Sequence, residues 1–325
     1  MNTFGRIFKI SIFGESHGTC VGITIDGCPP GIPIEIEDFT TDLLKRKSGA
    51  KGTTPRIEGD IPKILSGVFN NFSTGAPITI ITENLNIKSS DYSDFIDIPR
   101  PGHADFTSQI KYKGFQDYRG GGHFSARLTF GLVVAGVIAK KLIQPIEIKA
   151  NLIEAGGNKN IEVAIEKAIS ENDSIGGIIE CCAKNINVGL GEPYFDSVES
   201  VLAHLLFSIP AVKGVEFGSG FGAAKMKGTE NNDLFANING STNTNNAGGI
   251  NGGITNGNNL IFRIVIKPTS STPKIQKTMN FKTNEIVDFE VKGRHDVCVA
   301  LRAPVIVEAV TAIVLADFHL ISRTY

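Results

Sequence analysis

The chain has 325 residues, 41% of them apolar, and its 32 basic and 33 acidic side chains leave a formal charge of −1. This balance argues against general nucleic-acid binding, which needs a basic excess, and the apolar content excludes global disorder. No apolar run reaches the ~18 residues that a membrane span needs. Charges at Arg6, Lys9 and Glu15 interrupt the region where a signal peptide is apolar. We therefore expect a cytoplasmic protein with no membrane or nucleic-acid partner.

The five cysteines are odd in number and form no Cys-x-x-Cys pair. Such a set favours reduced thiols over a disulfide framework or a zinc site. We expect all five to serve as small apolar side chains, with no metal bound.

Strands and helices alternate irregularly along the chain. Runs of β-branched and apolar residues bounded by turn residues predict strands at Ile7–Phe13, Val21–Ile25, Ile61–Val68, Ile78–Ile81, Ile178–Cys182, Val212–Phe217, Leu260–Ile266 and Ile286–Val291. Helical periodicity predicts helices at Glu37–Lys47, Phe124–Leu142, Ile161–Ser170, Ser197–Ser208 and Pro304–His319. Several adjacent strands favour an α+β fold of mixed layers over a doubly wound parallel sheet.

Glycine is unusually frequent, with 36 residues, and Gly-rich turns let backbone N–H groups approach a ligand closely. One stretch, residues 231–259, is dominated by Asn, Gly and Thr. Its first half, Asn231–Asn243, is open to two interpretations, a mobile surface loop or a folded segment. Its second half carries glycines just before a strand, which favours a ligand-binding surface formed by backbone atoms.

Four segments combine glycine with histidine, cations or hydroxyls. Phe-Gly-Glu-Ser-His-Gly at 13–18 places His17 at a strand end, where it can exchange protons near neutral pH or simply face solvent. Residues 100–127 carry His103 and a triple glycine before a predicted helix, a pattern typical of an anion site. Residues 263–271 end a strand with Lys267 and three hydroxyls, and residues 292–296 place an arginine beside Asp296. Surface ion pairs and ordinary turns are the alternative for each segment.

Two common phosphate-binding motifs are excluded. The chain has no G-x-x-x-x-G-K-[ST] and no G-x-G-x-x-G in a strand–turn–helix unit with an acid ~20 residues further on. A Walker NTPase and a Rossmann dehydrogenase therefore do not fit.

Taken together and in this order, the four segments resemble those of chorismate synthases. The resemblance rests on Phe-Gly-Glu-Ser-His-Gly, Arg-Pro-x-His-Ala-Asp and Gly-Arg-His-Asp, and it covers nearly the whole chain in collinear order. It implies a single domain over residues 1–325 with a β-α-β sandwich, assembled as a homotetramer. It also implies an enzyme that converts 5-enolpyruvylshikimate 3-phosphate to chorismate by 1,4-anti-elimination of phosphate. That reaction needs reduced FMN, with NADPH as its reductant in some members.

The resemblance also implies residue roles. His103 matches the acid beside the leaving phosphate, His17 the histidine that protonates reduced flavin, and Asp296 the acid that acts through flavin N5 in taking the ring proton. Substrate contacts carry over to Arg46, Lys51, Arg127 and Arg294, of which Arg46 and Lys51 also match nicotinamide contacts. Flavin contacts carry over to His123, Phe124, Ser125, Pro210, Ala211, Gly252, Lys267, Pro268, Thr269, Ser270, Ser271 and Arg294.

Three flavin positions depart from the common family pattern. His123-Phe124 replaces Arg-Ser, which exchanges a permanent cation for an imidazole and removes a hydroxyl donor. Pro210 stands where Asn or Gln is usual and lacks a backbone N–H. These losses predict weaker FMN binding than in a typical relative. They also leave open a partly degenerate, non-catalytic flavin-binding oligomer, whereas a general flavin reductase lacks an identifiable nicotinamide pocket.

Overall fold

A computed structural model describes residues 2–54, 59–85, 92, 94–291 and 295–323. These residues form strands β1 Thr3–Phe4, β2 Lys9–Gly14, β3 Cys20–Asp26, β4 Lys63–Ser66, β5 Val68–Phe69, β6 Phe72–Ser73, β7 Ile78–Glu83, β8 Glu147–Ala155, β9 Gly177–Lys184, β10 Val212–Phe217, β11 Ile250–Asn251, β12 Ile254–Thr255, β13 Leu260–Ile266, β14 Gln276–Asn280 and β15 Glu285–Phe289. The α-helices are α1 Thr40–Arg46, α2 Asp105–Lys111, α3 Thr129–Leu142, α4 Ile161–Ser170, α5 Val198–Leu206, α6 Gly228–Asn231 and α7 Pro304–Ser322.

Two antiparallel sheets enclose a layer of helices. One sheet has the order β1-β2-β3-β7-β4 and the other has the order β10-β13-β9-β8. Helix α3 packs on β3 of the first sheet, α7 packs on β8 and β9 of the second, and the two helices pack on each other. This arrangement confirms the predicted α+β class and the β-α-β sandwich.

Small side chains allow the two central helices to approach closely. A Cβ at Gly136 of α3 would lie 2.3 Å from the Cβ of Ala309 in α7, so only glycine fits there. Helix α7 is long and apolar enough to cross a membrane, but most of it is buried inside the fold. It is therefore the core helix of the sandwich, apolar because both of its sides are covered.

A buried carboxylate joins the two ends of the chain. Asp317 of α7 accepts hydrogen bonds from the backbone N–H groups of Arg6, Ile7 and Phe8 at 2.7–2.8 Å. The three donors precede β2 and have no strand partner there, so Asp317 satisfies groups that would otherwise be costly to bury. This contact positions the strand that leads into the His17 segment.

Most predicted elements are present, with corrections at their ends. Helix α3 begins at Thr129, not at Phe124. The positive φ angles of Gly120–Gly122 and the extended conformation of Ser125 prevent an earlier start. The predicted strand Ile61–Val68 is two strands separated at Gly67, whose φ is +79°. The strand predicted at Ile286–Val291 runs over Glu285–Phe289.

Many hydrogen bonds hold the Asn-rich stretch, which favours its interpretation as a folded segment. Asp233 accepts hydrogen bonds from the backbone N–H groups of Asn246 and Ala247 and from the Thr244 hydroxyl, at 2.7–2.9 Å. Asn258 and Asn256 add further side-chain hydrogen bonds. Amide and carboxylate side chains that bond to nearby backbone are typical of such compact turns.

Candidate active site

A cavity of about 200 Å³ lies where segments distant in sequence meet at one end of the sandwich. Five of its described lining residues are cationic and two are carboxylates, which leaves a net charge of +3 with His295 neutral. The chain as a whole carries −1, so positive charge is concentrated at this one place, as binding of a phosphorylated substrate requires. The charged lining residues are Arg46, Lys47, Arg100, Arg127, Arg302, Asp60 and Asp296.

Asp60 holds two of these arginines together. Its Oδ2 accepts a hydrogen bond from Arg46 and its Oδ1 one from Arg127, and all three side chains are buried. Arg127 also donates to the side chain of Asn84 at 2.9 Å. Burial alone would raise the pKa of Asp60, but the two guanidinium groups outweigh it and hold that pKa below its usual range. The pair of arginines is thus fixed in place before any ligand binds.

Asp296, the predicted base, lies in the same cavity. Its Oδ2 accepts a hydrogen bond of 2.6 Å from Arg302, and its Oδ1 accepts one of 2.9 Å from the backbone N–H of Thr54. The side chain of Asp296 is 12% exposed. One cation and one backbone donor therefore orient a carboxylate that still faces the cavity.

Several polar atoms around the cavity lack a partner within the described residues. They are the Nε atoms of Arg46 and Arg302 and the hydroxyl of Thr269, all of them buried. Two cationic donors and one hydroxyl left unsatisfied at one site are unfavourable unless a ligand completes them. Because all three can donate hydrogen bonds, the group that fits them is an anion.

Two neighbouring glycines lie against the predicted catalytic histidines. Gly120 lies against His17. A Cβ added to Gly121 would lie 3.4–3.5 Å from atoms of the His103 ring. Both glycines have positive φ, +62° and +83°, and Gly120 lines the cavity. His17 packs edge-on against Tyr92, with ring centroids 5.0 Å apart. Gly120 thus lies against His17 and lines the same cavity as Asp296, whereas His103 and Gly121 line a small neighbouring pocket.

His103 belongs to a charged cluster with Arg100 and Asp105, two residues of its motif that were not among the predicted site residues. Its Nδ1 lies 2.6 Å from Oδ1 of Asp105, and Arg100 donates to both oxygens of that carboxylate at 2.8–2.9 Å. Burial opposes ionisation of Asp105, but hydrogen bonds from Arg100 and His103 hold its pKa well below the usual range. The motif Arg-Pro-Gly-His-Ala-Asp contains all three residues, and their short spacing was the available signal.

The predicted flavin segment at the end of β13 is attached to this cluster. Lys267 and Ser270 both donate to the carbonyl oxygen of Gly102, and Arg100 donates to the Ser271 hydroxyl at 3.1 Å. The backbone of Ala211 also joins the segment, because its carbonyl accepts the Lys267 N–H at 2.9 Å. Burial and the nearby Lys213 lower the pKa of Lys267.

His123 and Phe124, which differ from the common family pattern, lie in surroundings different from each other. His123 Nδ1 donates to the Gly14 carbonyl at 2.9 Å, and its Nε2 lies 3.1 Å from the Asn2 amide oxygen. Phe124 is 38% exposed and packs beside Tyr112. Ser125 lines the cavity and accepts a hydrogen bond from the Arg127 N–H, capping a short 3₁₀ turn.

The other predicted positions are more dispersed. Pro210 lines a small apolar cavity behind Arg46 and Arg302, and Pro268 packs on Gly176. Lys51 is exposed and pairs with Glu166 of α4 at 2.5 Å. Gly252 lies in the β11–β12 turn, with open space where a Cβ would be. Arg294 lies outside the described residues.

Comparison with known proteins decides the family. The model of the chorismate synthase family matches residues 8–320. The chain belongs to this family. It is 60% identical to a chorismate synthase of Chitinophaga pinensis, over 99% of this chain and 98% of that protein. It is also 47% identical to one of Dehalococcoides mccartyi, over 98% of this chain and 96% of that protein.

A solved structure supports the architecture of the chorismate synthase family here. A crystal structure of a chorismate synthase matches with a TM-score of 0.74 and 24% identity, over 98% of this chain and 93% of that one. The family resemblance inferred from the motifs is therefore confirmed, and with it the lyase class that removes phosphate. High identity over whole chains does not favour the alternative of a degenerate, non-catalytic relative.

Proposed function

We propose that the cleft converts 5-enolpyruvylshikimate 3-phosphate to chorismate and inorganic phosphate. A C–H bond and the C–O bond to phosphate break, a new C=C bond forms, and no net oxidation or reduction occurs. The observation that carries this proposal is the concentration of positive charge around the cavity, with donors that have no partner among the described residues, within a chain of net charge −1. Such a site suits a substrate with a phosphate and two carboxylates.

The arginines of the cavity bind and orient this substrate. Arg46 and Arg127, fixed by Asp60, are suited to planar, bidentate contacts with carboxylate or phosphate oxygens. Arg302 adds an Nε that has no partner among the described residues, while its Nη2 donates to Asp296. Lys51 and Arg294 complete the proposed substrate set, and Arg46 and Lys51 are also the proposed contacts for NADPH.

The acid–base groups flank the substrate position. His103 donates a proton to the departing phosphate, which is a poor leaving group while fully charged. Asp296 accepts the proton that leaves the ring, and His17 supplies a proton toward the flavin side. General acids and bases of this kind each contribute roughly 10²- to 10⁴-fold to a rate.

Reduced FMN fits the donors around the cleft. The Thr269 hydroxyl has no partner among the described residues, and Lys267, Ser270 and Ser271 gather beside it. When bound, the reduced flavin supplies transient electron density to the elimination. The cavity of about 200 Å³ is smaller than the ~300–1,000 Å³ usual for ligand sites. The remaining proposed flavin contacts are His123, Phe124, Ser125, Pro210, Ala211, Gly252, Pro268 and Arg294.

We also propose a cytoplasmic homotetramer. Large apolar side chains are strongly exposed on the single chain, which is typical of surfaces that pack against other copies. The most exposed of them are Phe115, Tyr194, Phe195, Phe221 and Ile238.

An anaerobic assay tests the proposed reaction. The protein is mixed with chemically reduced FMN and 5-enolpyruvylshikimate 3-phosphate, and chorismate and phosphate are measured together. Equal amounts of both products are expected, and release of neither would overturn the proposal. Repeating the assay with NADPH and oxidised FMN, without another reductase, tests whether the protein reduces its own flavin.

A further inference from the structure

The contact between His103 and Asp105 fixes which ring nitrogen carries the proton. An ionised carboxylate only accepts hydrogen bonds, so the 2.6 Å contact requires a proton on Nδ1 of His103. The other nitrogen, Nε2, is then directed at Gly121, where an added Cβ would lie 3.5 Å away. Nε2 and its neighbour Cε1 are the ring atoms nearest to Gly121, in a small pocket that Tyr118 and Phe124 also line.

Arg100 immobilises the carboxylate of Asp105. Oδ2 accepts from the Arg100 backbone N–H at 3.1 Å and from its Nε at 2.8 Å, while Oδ1 accepts from its Nη2 at 2.9 Å. The side chains of Arg100 and Asp105 are 5% and 8% exposed. Arg100 in turn stacks over the Phe95 ring at 4.4 Å. The carboxylate therefore has one position available to it.

We propose that Asp105 is a positioning residue that makes His103 an effective acid. Its carboxylate fixes the ring with Nδ1 protonated and stabilises the imidazolium form, so that Nε2 can give its proton to a phosphate oxygen as the C–O bond breaks. In this step the Nε2–H bond breaks and an O–H bond forms on phosphate, while Asp105 keeps its charge. The inference rests on the proposed function only for the identity of the proton acceptor.

The charges around His103 allow the role of Asp105 to be measured. Arg100 Nη2 lies 3.1 Å from Nδ1, and a cation at that distance opposes protonation of the ring. Loss of the Asp105 carboxylate would therefore leave the ring beside an uncompensated cation. The other charged or titratable groups facing this pocket or its turn are Asp117, Tyr118 and Lys267.

Asp105→Asn in the full-length protein tests the proposal, with Asp117→Asn as the matched control. Asp117 makes the same set of contacts to Arg119, two at 2.8 Å and one backbone contact at 3.1 Å, without a histidine in the pair. The pKa of His103 is measured by NMR on protein with ¹³C-labelled histidine, and the signal is assigned with His103→Gln. The chain has six histidines, so the spectrum is simple.

We expect the pKa of His103 to fall by about one unit or more in Asp105→Asn and by much less in Asp117→Asn, because Asp117 faces the same pocket but pairs with Arg119. We also expect kcat at pH 7 to fall by about 30-fold or more with KM within about threefold, and its alkaline limb to move to lower pH. Asp105→Glu, which keeps the charge, should recover part of kcat.

An unchanged His103 pKa in folded Asp105→Asn would overturn the proposal, as would equal shifts in both variants. The titration uses ligand-free protein, so it decides the role of Asp105 even if the wild-type chain releases no phosphate. In that case the proposed function fails and the coupling of Asp105 to His103 is judged separately. If Asp105→Asn does not fold, Asp105→Glu is titrated instead, and an unshifted pKa combined with full loss of kcat would contradict the proposal.

Discussion

Gly120 lies so close to His17 that a Cβ added to it would be 2.5 Å from the imidazole Cδ2. The φ of Gly120 is +62°, a conformation that costs other residues about 1–2 kcal/mol. Glycine is thus needed at this position for two reasons. The positive φ disfavours other residues, and the packed imidazole leaves no room for a side chain. The segments that carry His17 and Gly120 are remote in sequence, and they can pack this closely only because Gly120 has no Cβ.

Gly120→Ala should impair catalysis more than stability. The new methyl group must displace His17, so we expect kcat to fall by about 10- to 100-fold. Gly114→Ala is the matched control, because Gly114 also has positive φ, +81°, but nothing lies within 4 Å of its added Cβ. Gly120→Ala should also lose more thermal stability than Gly114→Ala, because only its methyl group meets a neighbour, and equal kcat values in the two would contradict the steric explanation.

Asp60→Asn should remove a stabilising charge at neutral pH. The pKa of Asp60 is depressed in the folded protein, so its contribution is present above the unfolded value of about 3.9 and is lost as pH falls through the folded value. Breaking this buried cluster should lower the free energy of unfolding at pH 7 by about 3–5 kcal/mol.

Urea unfolding at fixed protein concentration between pH 7 and pH 3 measures this effect. The difference between wild type and Asp60→Asn should shrink as the solution becomes more acidic. Glu166→Gln, which breaks an exposed pair with Lys51, serves as the control and should change little at any pH. A difference that grows on acidification would show that Asp60 is not the stabilising anion.

Asp317→Ala should loosen the N-terminal segment. Three backbone N–H groups would lose their acceptor, which we expect to cost about 3 kcal/mol in the free energy of unfolding. Asp317→Asn keeps one acceptor oxygen, so its free energy of unfolding should lie between those of wild type and Asp317→Ala. Hydrogen exchange at the Phe8 amide reports the local effect, and wild-type protection in Asp317→Ala would refute the role of this contact.

His123→Arg should raise FMN affinity and lower stability. Arginine restores the permanent cation common in the family, and we expect roughly tenfold tighter flavin binding. The same change removes the imidazole contact with the Gly14 carbonyl, so the melting temperature should fall. Titration with FMN gives the affinity, and equal affinity of the two proteins would contradict the prediction of a weakened flavin site.

The elements that were predictable from sequence are those with local signals. Helix α4 runs over Ile161–Ser170 as predicted, and Asn160 caps it through a hydrogen bond to the Val163 N–H. Strand β8 was missed because charged residues alternate along it, as suits the edge of a sheet. The start of α3 was misplaced because periodicity does not distinguish the 3₁₀ turn Ala126–Leu128 from the α-helix that follows it.

Residues of the site were predictable only where they belong to a recognisable sequence motif. Asp60 was missed because its partners Arg46 and Arg127 lie 14 and 67 residues away, and nothing local marks a buried aspartate. Arg302 was missed for a similar reason, since a single arginine before a helix resembles an ordinary surface cation. Contacts between remote residues appear only when the fold places them together.

The most direct test of the central claim is anaerobic turnover by wild-type protein and His103→Ala, measured beside flavin binding in each. Wild type with reduced FMN and 5-enolpyruvylshikimate 3-phosphate should release chorismate and phosphate in equal amounts. His103→Ala should bind FMN with unchanged affinity and lose turnover by about 10²-fold or more. Undiminished turnover by His103→Ala, or no product from wild type, would contradict the assignment of this cleft as the site of phosphate elimination.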